Sequence, residues 1–591
     1  MTKELMLGNE AVARGAYEAG VTVASAYPGT PSTEITEYIA KYDNIYCEWS
    51  PNEKVALEVA IGAAFGGARA ICSMKHVGVN VAADPLFTAS YTGVNGGLVI
   101  MAADDPGMHS SQNEQDTRNY GLAAMIPVLE PSDSQECLDF VKAAFILSET
   151  FDTPVIVRLT TRIAHSRSLV NISEPITYQL KDYTKDIAKR VMMPAMARQR
   201  HVEVEARLRK LEEWAETTEL NTIVGAEGSK PVGAISSGIS YQYIKEASLG
   251  APDEEIVPVL KLGMVYPLPI KKIQAFAKRF EKLYVVEELF PFLEDNIKKE
   301  GIAVTGKAEF PLVGELSAHL VKNVIYKSEQ ESSNEQTAPQ NIPGRPPVLC
   351  PGCPHRGVFY ILNKLRLNVF GDIGCYTLGA LSPFEAMDAC VCMGASIGMA
   401  HGINKARGSD FAKKTVAVIG DSTFIHSGIT GLINMIYNKG NSTVLILDNS
   451  ITGMTGHQDN PATGYTIRRE ETIQLNLEKL CEALGIPDVR VVDPFDTTSL
   501  EETLKEELNK AAPSVIIARR PCALLKSYQP GNQVSIDNNK CTHCRQCMGI
   551  SCTAISDSGG QISINEAYCV RCGLCEQVCK FGAIVTNAEE A

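Results

Sequence analysis

The apolar and polar positions of the chain follow two alternating patterns. Short runs rich in β-branched residues each end at a glycine or a polar residue; they include Val21–Ala24, Thr153–Val157, Thr415–Ile419 and Thr443–Leu447. Segments with apolar residues at helical spacing separate such runs, and the first of these is Asn9–Gly20. Strand-like runs that alternate with helical segments predict parallel sheets covered by helices. We therefore expect an α/β protein.

The α/β pattern is interrupted at several points, which predicts domain boundaries. It stops after Arg158, and alternating charges over Met196–Thr217 predict a solvated connecting helix. A smaller α/β pattern starts at Lys230, and Ser328–Thr337 lacks apolar residues, as is typical of a mobile linker. The predicted segments are an α/β domain at 1–175, a helical connector at 176–229, a second α/β domain at 230–326, a linker at 327–344, a third α/β domain at 345–530 and a cysteine-rich domain at 531–591.

Composition and charge narrow the function classes. The chain has 591 residues, 45% of them hydrophobic and 21% charged, which is typical of a globular protein of several domains. A net charge of −14 argues against a nucleic-acid-binding surface. We find neither a signal segment nor an apolar run of about 18 residues, so we expect no membrane association and a cytoplasmic location. Thiols stay reduced there, so the 18 cysteines are expected to be ligands or core residues.

Polar residues follow two of the strand-like runs. Gly420, Asp421 and Ser422 follow the first, and Asn449 follows the second. The carboxyl ends of parallel strands share one edge of a sheet, so Asp421 and Asn449 should lie in one crevice. A carboxylate and an amide oxygen suit Mg²⁺, and Gly420, Ser422 and Thr423 stand at a helix start that favours phosphate. Alone, a Gly-Asp pair after a strand is often a plain turn; Asn449 in register favours a metal–diphosphate site.

Four residues in the first half are candidate catalytic residues. Glu53 stands at the start of an Ala- and Gly-rich helical segment, where it either interacts with the helix dipole or acts as a catalytic carboxyl group. Thr30 lies where a strand passes into a loop, and His76 and His109 follow apolar runs in expected loops at the rim of the crevice. Each histidine is either a structural hydrogen-bonding residue or an active-site residue.

The last 60 or so residues contain two sets of four cysteines at ferredoxin-like spacing. The sets are Cys541, Cys544, Cys547 and Cys552, and Cys569, Cys572, Cys575 and Cys579. This pattern favours two [4Fe–4S] clusters over a zinc ribbon. A further pair, Cys350 and Cys353, next to His355, suggests zinc less strongly because no second pair lies at suitable spacing.

These motifs together resemble the 2-oxoacid:ferredoxin oxidoreductase family. The resemblance rests on Tyr27-Pro-Gly-Thr-Pro31, Cys350-Pro-Gly-Cys-Pro-His355, Gly420-Asp-Ser422 and both cysteine sets, in this order along the chain. It implies two doubly wound domains that bind thiamine diphosphate, a pyrimidine-binding one at 1–175 and a diphosphate-binding one at 345–530. Between them it implies a domain like the carboxy-terminal domain of transketolases, and at the end a two-cluster ferredoxin domain. Ser422 and Asp448 depart from the usual thiamine motif without removing a metal-ligand candidate.

The resemblance also assigns roles to individual residues. It implies that the Glu53 carboxyl group bonds N1′ of the cofactor, that Thr30 lies near the substrate carbonyl, and that Ile451 joins Asp421 and Asn449 in binding metal and cofactor. It places Cys353 and Gly394 in loops around the cofactor. One cluster is expected on Cys541, Cys544, Cys547 and Cys579, and the other on Cys552, Cys569, Cys572 and Cys575. The arginine that binds the substrate carboxylate in pyruvate-specific relatives has no secure counterpart, although Arg118 is nearby.

The implied reaction converts an aryl 2-oxoacid, coenzyme A and oxidised ferredoxin into aryl-acyl-coenzyme A, carbon dioxide and reduced ferredoxin. The implied partners are ferredoxin and a smaller β subunit, in a heterotetramer of two large and two small chains. Alternatives are oxidation of another 2-oxoacid, a non-redox thiamine lyase or synthase, and a purely electron-transferring scaffold. The non-redox alternative leaves the tail cysteines without a role, and the scaffold leaves Glu53, Asp421 and Asn449 without one.

Overall fold

The computed structural model describes residues 2–225, 230–252, 256–326 and 346–587. The chain divides into two compact units, residues 1–340 and 341–591, here called unit 1 and unit 2. The expected linker at 327–344 lies outside the described residues. Among the described helices, none is long and apolar enough to cross a membrane.

Unit 1 contains three sheets with helices packed on them. Its strands are β1 Thr2–Leu7, β2 Val23–Ala26, β3 Tyr46–Trp49, β4 Ala70–Lys75, β5 Leu98–Asp104, β6 Val128–Leu129, β7 Val155–Thr160, β8 Arg167–Ile172, β9 Asn221–Val224, β10 Lys230–Ser236, β11 Val259–Leu262, β12 Met264–Tyr266 and β13 Phe280–Val286. Its helices are α1 Gly8–Glu18, α2 Thr33–Ile39, α3 Glu53–Phe65, α4 His76–Val81, α5 Ala83–Thr92, α6 Arg118–Ala124, α7 Ser134–Phe151, α8 Thr161–His165, α9 Ile187–Arg190, α10 Pro194–Thr217, α11 Gly238–Ala247, α12 Ile270–Ala277, α13 Phe292–Lys299 and α14 Ala318–Ile325.

The main sheet of unit 1 has the strand order β12-β6-β7-β5-β4-β2-β3. All neighbours are parallel except β12, which runs antiparallel to β6 at the edge. The central strands β4, β5 and β7 are buried along their whole length, as expected for a sheet covered on both faces. The loops that follow β2, β4 and β5 therefore lie at one edge of this sheet.

A smaller sheet of unit 1 has the order β13-β10-β11-β9, with β9 antiparallel at its edge. The strands β10 and β13 correspond to predicted runs, whereas β9 lies in the segment expected to be a helical connector. The helix α10 was predicted to be solvated, and this is wrong for one face: Val204, Arg207, Leu211 and Ala215 are buried. Arg207 donates from Nη1 to the Asp152 carbonyl, 2.9 Å away, and so fixes α10 to the first domain.

Unit 2 contains a five-stranded parallel sheet and a small cysteine-rich part. Its strands are β14 Asn368–Phe370, β15 Thr415–Gly420, β16 Thr443–Asp448, β17 Val489–Val492, β18 Ser514–Arg519, β19 Gln533–Ile536, β20 Ile555–Ser558, β21 Gln561–Ile564 and β22 Ile584–Asn587. Its α-helices are α15 His355–Lys364, α16 Ala395–Arg407, α17 Ser409–Ala412, α18 Asp421–Thr423, α19 Ile429–Tyr437, α20 Leu477–Ala483, α21 Thr497–Leu508 and α22 Leu574–Gln577.

The parallel sheet of unit 2 has the order β14-β15-β16-β18-β17, as predicted from the two apolar runs that became β15 and β16. Apolar clusters cover both of its faces, since alternate residues of β15 and β16 belong to different clusters. The cysteine-rich part consists of two antiparallel pairs, β19 with β22 and β20 with β21. Its apolar core includes Phe495 and Tyr360, so it packs on the sheet domain of unit 2.

Candidate active site and cysteine groups

The carboxyl ends of β15 and β16 bring Asp421 and Asn449 together. The two strands pair in parallel, with Gly420 opposite Leu447. The residues that follow adjacent parallel strands lie side by side, as the sequence predicted. Both side chains are buried, with exposed fractions of 2% and 8%.

Three oxygen-bearing groups converge at this edge. One terminal atom of the Asn449 amide lies 3.2 Å from Asp421 Oδ1 and 2.8 Å from the carbonyl oxygen of Ile451. With the amide nitrogen at that position, Asn449 donates two hydrogen bonds; with the oxygen there, three oxygen atoms meet, and a cation stabilises them. Burial, reinforced by the charge of Asp448, raises the pKa of Asp421 to about 7. The residues present therefore fit Mg²⁺, which prefers oxygen ligands and supplies the missing positive charge.

Asp448, which departs from the thiamine motif, has its own counter-charge. Its Oδ2 accepts a hydrogen bond from Arg519 Nε at 2.6 Å, and its Oδ1 accepts from the Ser450 amide at 3.1 Å. Arg519 also donates to both carboxylate oxygens of Glu478, at 2.6 and 2.8 Å. The Asp448 charge is thus balanced within the protein, which leaves Asp421 as the carboxylate that requires a cation.

Gly420, Ser422 and Thr423 lie at the start of one continuous helical run, which passes through a π-helical turn at Phe424–Gly428 into α19. A Cβ atom on Gly420 would lie 2.7 Å from Tyr376 Cε1, so close packing requires glycine here. Ser422 Oγ accepts a hydrogen bond from Thr452 Oγ1 at 3.0 Å. The helix start favours an anion through its main-chain amides and dipole.

Gly394 packs directly against this helical run. It has φ +85° immediately before α16, and a Cβ atom there would lie 2.4 Å from Ser427 Cβ. Its amide donates to the buried Asp372 carboxylate at 2.8 Å. Both the backbone conformation and the close contact therefore require glycine at position 394.

The tail cysteines surround two separate cavities. Cys541, Cys544, Cys547 and Cys579 line one, and Cys552, Cys569, Cys572 and Cys575 line the other. The cysteines are grouped as in the expected ligand sets: the last cysteine of each set lies with the first three of the other set. Among the described residues, no three His, Cys, Asp or Glu side chains are close enough to hold a single metal ion. Each cavity is lined by four cysteines, the number of ligands that a [4Fe–4S] cluster takes.

A third cysteine group was missed by the sequence analysis. Burial, together with the neighbouring thiols of Cys522 and Cys350, raises the pKa of Cys375 to about 11. Burial also raises the pKa of Cys353, and the neighbouring thiols of Cys375 and Cys350 raise it further. These electrostatic interactions indicate that the four thiols are neighbours in unit 2. The Cys350/Cys353 pair was the available signal, but its partners are distant in sequence.

The loop between Cys350 and Cys353 packs against the cysteine-rich part. A Cβ atom on Gly352 would lie 2.3 Å from Val570 Cγ2 and 3.7 Å from Cys572 Cβ. Arg356 Nη1 donates to the Ile550 carbonyl at 2.9 Å, and its Nε donates to the Cys350 carbonyl at 2.8 Å. The third cysteine group therefore adjoins the cavity lined by Cys572.

In unit 1, Glu53 is the first residue of α3. The preceding Asn52 caps the helix, since its Oδ1 accepts from the Val55 amide at 3.0 Å. Glu53 has only 5% exposure, and a Cβ atom on Gly78 would lie 2.6 Å from its Oε1. The carboxyl group therefore packs against α4 instead of extending into solvent.

The two histidines occupy different environments. His76 was expected in a loop, but this is wrong: it begins α4 and is buried. Its Nε2 lies 3.2 Å from the Asn113 carbonyl, its Nδ1 has no hydrogen-bond partner among the described residues, and burial lowers its pKa, so the ring is neutral. His109 is exposed, and its Nε2 lies 2.9 Å from a Glu315 carboxylate oxygen. Of the two histidines, His76 is the one near Glu53, because His76 begins α4 and Glu53 packs against Gly78 of the same helix.

The Arg118 guanidinium group is held in a buried ion-pair network. It is fully buried and donates to Asp116 at 2.9 Å and to Glu287 at 2.8 Å. The guanidinium group thus has two carboxylate partners, and it also stacks on the Phe292 ring. Two further buried cations, neither of them singled out by the sequence analysis, lie near the candidate residues: Arg158, which is paired with Asp104 and Glu130, and Lys75.

Comparison with known proteins gives matches along most of the chain. Residues 14–217 match the pyruvate flavodoxin/ferredoxin oxidoreductase thiamine-diphosphate-binding family, 372–518 match the C-terminal domain of thiamine pyrophosphate enzymes, and 562–585 match a 4Fe-4S binding domain. A solved 2-oxoglutarate:ferredoxin oxidoreductase from Magnetococcus marinus aligns at 18% identity over 55% of this chain and 65% of that chain, with a TM-score of 0.45.

Full-length relatives are much more similar. The indolepyruvate oxidoreductase subunit IorA of Archaeoglobus fulgidus is 41% identical, over 98% of this chain and 97% of that protein. The subunit of the same name from Pyrococcus horikoshii is 40% identical, over 98% and 96%. With these relatives and with its own matches to thiamine-binding and 4Fe-4S domains, the chain belongs to the indolepyruvate oxidoreductase IorA family of thiamine-dependent 2-oxoacid:ferredoxin oxidoreductases.

Proposed function

We propose that this chain is the large subunit of an enzyme that converts indolepyruvate and related aryl 2-oxoacids, with coenzyme A, into aryl-acyl-coenzyme A and carbon dioxide while reducing ferredoxin. The observation that carries the proposal is that unit 2 contains both a three-oxygen cation site and adjoining groups of four cysteines. A non-redox thiamine enzyme has no use for the cysteine groups. The aryl substrate is supported by the names of the full-length relatives.

In unit 2, Asp421, Asn449 and the Ile451 carbonyl would hold Mg²⁺, and the helix start at Gly420, Ser422 and Thr423 would receive the diphosphate. When bound, thiamine diphosphate supplies the electron sink for loss of carbon dioxide. The Gly394 turn and the Cys353 loop would border it. Arg519 balances the charge of Asp448, so the cation need compensate only Asp421.

In unit 1, the buried Glu53 carboxyl group would bond N1′ of the aminopyrimidine and favour its imino form. Thr30 is half-buried in the turn after β2, from which its hydroxyl would reach the substrate carbonyl. His76 is neutral and its Nδ1 has no partner among the described residues, so it can accept a hydrogen bond from substrate or cofactor. The environment of the exposed His109 supports a structural ion pair with Glu315.

Electrons would leave through the cysteine groups. The Cys350, Cys353, Cys375 and Cys522 group adjoins the cavity lined by Cys552, Cys569, Cys572 and Cys575, and the second cavity lies in the same small domain. Each four-cysteine group would hold one [4Fe–4S] cluster, so the assembled chain would contain about twelve iron atoms. Eighteen cysteines without a disulfide support a compartment that keeps thiols reduced, such as the cytoplasm.

The full-length relatives are named as subunits, which supports a partner chain for this protein. We assign coenzyme A binding and closure of the site to a smaller β subunit, in an assembly of two large and two small chains. Such closure excludes water from the reacting centre.

The test is an anaerobic assay of the two-subunit enzyme with a panel of 2-oxoacids and either ferredoxin or a viologen. We expect aryl 2-oxoacids to be preferred, the reaction to require coenzyme A, and chemical analysis to find thiamine diphosphate and about twelve iron atoms per large chain. Preference for pyruvate or 2-oxoglutarate would refute the substrate assignment. Turnover that persists without an electron acceptor would refute the redox function.

A further inference from the structure

The substrate of the proposed reaction carries a carboxylate, and its binding requires a positive group in a desolvated site. The arginine of pyruvate-specific relatives has no secure counterpart in the sequence, and Arg118 is paired with Asp116 and Glu287. A second cation must therefore be found at the edge of the unit 1 sheet where Thr30, Glu53 and His76 lie.

Lys75 is the last residue of β4 and stands at that edge. Its side chain runs beside the turn that contains Thr30: a Cβ atom on Gly29 would lie 3.1 Å from Lys75 Cβ and 3.7 Å from its Cδ. Glu53 acts on the ammonium group electrostatically, and His76 is the next residue in the chain. Lys75 thus lies close to three predicted catalytic residues of unit 1: Thr30, Glu53 and His76.

Lys75 is also buried, and it forms no salt bridge with any other residue that the structure describes. Its exposed fraction is 9%, and Nζ donates to the carbonyl oxygen of Ser110, a neutral acceptor. The nearby Asp105 carboxylate is occupied by the Ser110 amide at 2.8 Å, Ser111 Oγ at 2.6 Å and Thr161 Oγ1 at 2.7 Å. Among the described residues, Asp105 and Glu53 act on the Lys75 ammonium group through their charges, without a hydrogen bond to Nζ.

A buried ammonium group with one neutral acceptor retains donors for a ligand, since lysine has three. Keeping such a group in the interior is costly unless an anion pairs with it. Its desolvation lowers the pKa of Lys75 to about 8, which leaves it mostly charged at neutral pH. An incoming carboxylate would form a charge-assisted hydrogen bond in a site already shielded from water.

We propose that Lys75 Nζ binds the carboxylate of the 2-oxoacid and thereby orients the keto carbon toward the side of the site that carries Thr30 and Glu53. This inference rests on the proposed function, which it deepens by assigning the carboxylate-binding residue. Lys75 performs the role that an arginine performs in pyruvate-specific relatives, with a single-point cation in place of a planar fork.

The test compares the wild-type two-subunit holoenzyme with Lys75→Met, Lys75→Gln and Lys75→Arg. A matched control is Lys307→Met, another lysine of unit 1 whose Nζ donates to a backbone carbonyl, that of Glu287 at 2.7 Å. Binding of 3-phenylpropionate and of its uncharged amide, 3-phenylpropionamide, is measured by calorimetry, and KM and kcat are measured with phenylpyruvate.

We expect both neutral variants to raise KM by about 10- to 100-fold, with kcat changing less, and to lose the preference for the carboxylate over the amide. Lys75→Arg should keep that preference in part, and Lys307→Met should behave as wild type. A normal KM and an unchanged preference in either neutral variant would overturn the assignment. Absence of all 2-oxoacid oxidation by the wild-type enzyme would instead refute the proposed function. If Lys75→Met does not fold, Lys75→Gln and the wild-type preference decide the result.

Discussion

At the scale of single residues, the buried Asp421 carboxylate is the clearest functional feature. Burial, together with the charge of Asp448, raises its pKa to about 7, and the arginine at the same edge pairs with Asp448 instead. A cation bound by Asp421, Asn449 and Ile451 would relieve this unfavourable arrangement.

Asp421→Ala should lower the affinity for thiamine diphosphate, measured in the presence of Mg²⁺, by about 100-fold or more, because a charged ligand is lost. Iron content should stay unchanged, because the cysteine groups do not include this residue. The exposed Asp410 provides a control, and Asp410→Ala should change neither property. Wild-type cofactor affinity in Asp421→Ala would show that the metal lies elsewhere.

The pH dependence of substrate binding tests Lys75 independently. Below its pKa of about 8 the ammonium group is charged and binds a carboxylate, so kcat/KM for an aryl 2-oxoacid should fall as pH rises through about 8. Asp105 and Glu53 face Lys75, and His76 adjoins it; the pKa of Asp105 and that of His76 are both lowered, so neither changes charge near pH 8. Lys75→Arg should shift the fall to higher pH. A pH profile identical in the two enzymes would exclude Lys75 as the titrating group.

Residue patterns could predict the cation site because its geometry follows from strand order. Asp421 and Asn449 each follow a strand, and adjacent parallel strands end together. The third cysteine group could not be predicted in this way, because Cys375 and Cys522 approach Cys350 only through loops. Lys75 looks like an ordinary strand end in sequence, and its burial without an ion pair becomes visible only in the fold.

At the scale of secondary-structure elements, the seven-stranded and the four-stranded sheets of unit 1 are linked by strand pairing and by side-chain contacts. β12 pairs with β6 at the edge of the large sheet, although its neighbours in sequence belong to the small sheet. Arg118 on α6 donates to Glu287, which follows β13, and to the Glu288 carbonyl at 3.0 Å. The pattern of apolar runs predicted both sheets, but the short β12 and β9 segments carry too few residues to reveal their pairing.

Arg118→Met should destabilise unit 1 by about 3–5 kcal/mol, because it leaves the buried Asp116 and Glu287 carboxylates without a counter-charge. Thermal unfolding of the cofactor-loaded enzyme measures the effect. The KM for an aryl 2-oxoacid in the folded fraction should remain within about twofold of wild type, in contrast to Lys75→Met. A large increase in KM without loss of stability would make Arg118 a substrate-binding residue after all.

The Cys350–Cys353 loop, which begins the sheet domain of unit 2, packs against the cysteine-rich part. Gly352 has φ +68°, and any side chain there would collide with Val570. Its position between Ala523 and Cys572 places the loop where electrons would pass from the third cysteine group to the neighbouring cavity.

Gly352→Ala should slow reduction of the tail clusters after mixing with substrate, because the loop must move away from Val570, while total iron remains constant. Gly559→Ala is a matched control: it has a similar φ of +63° but no atom within 4 Å of the added Cβ. Stopped-flow absorbance of the clusters measures the rate. Equal rates in both variants would show that the contact with Val570 has no part in electron transfer.

At the scale of the whole molecule, changes in composition and the eight tail cysteines were the main signals from which the domain order was predicted. The doubly wound domains, the smaller α/β domain and the ferredoxin domain are all present. The partner subunit was expected from the family resemblance and not from any residue pattern in the chain. The full-length relatives are named as subunits.

The assignment of coenzyme A binding to a second subunit predicts how the large chain behaves alone. The purified chain alone should bind thiamine diphosphate and assemble its clusters, because the residues for both lie within it. It should nevertheless show little coenzyme-A-dependent reduction of ferredoxin with an aryl 2-oxoacid, since the closure that keeps water from the reacting centre is assigned to the second subunit. Adding that subunit should restore the activity and saturate at one small chain per large chain. The measurement is a titration of activity, with a heat-denatured small subunit as control. Full activity of the large chain by itself would refute the two-subunit assignment, and saturation at another ratio would refute the assembly of two large and two small chains.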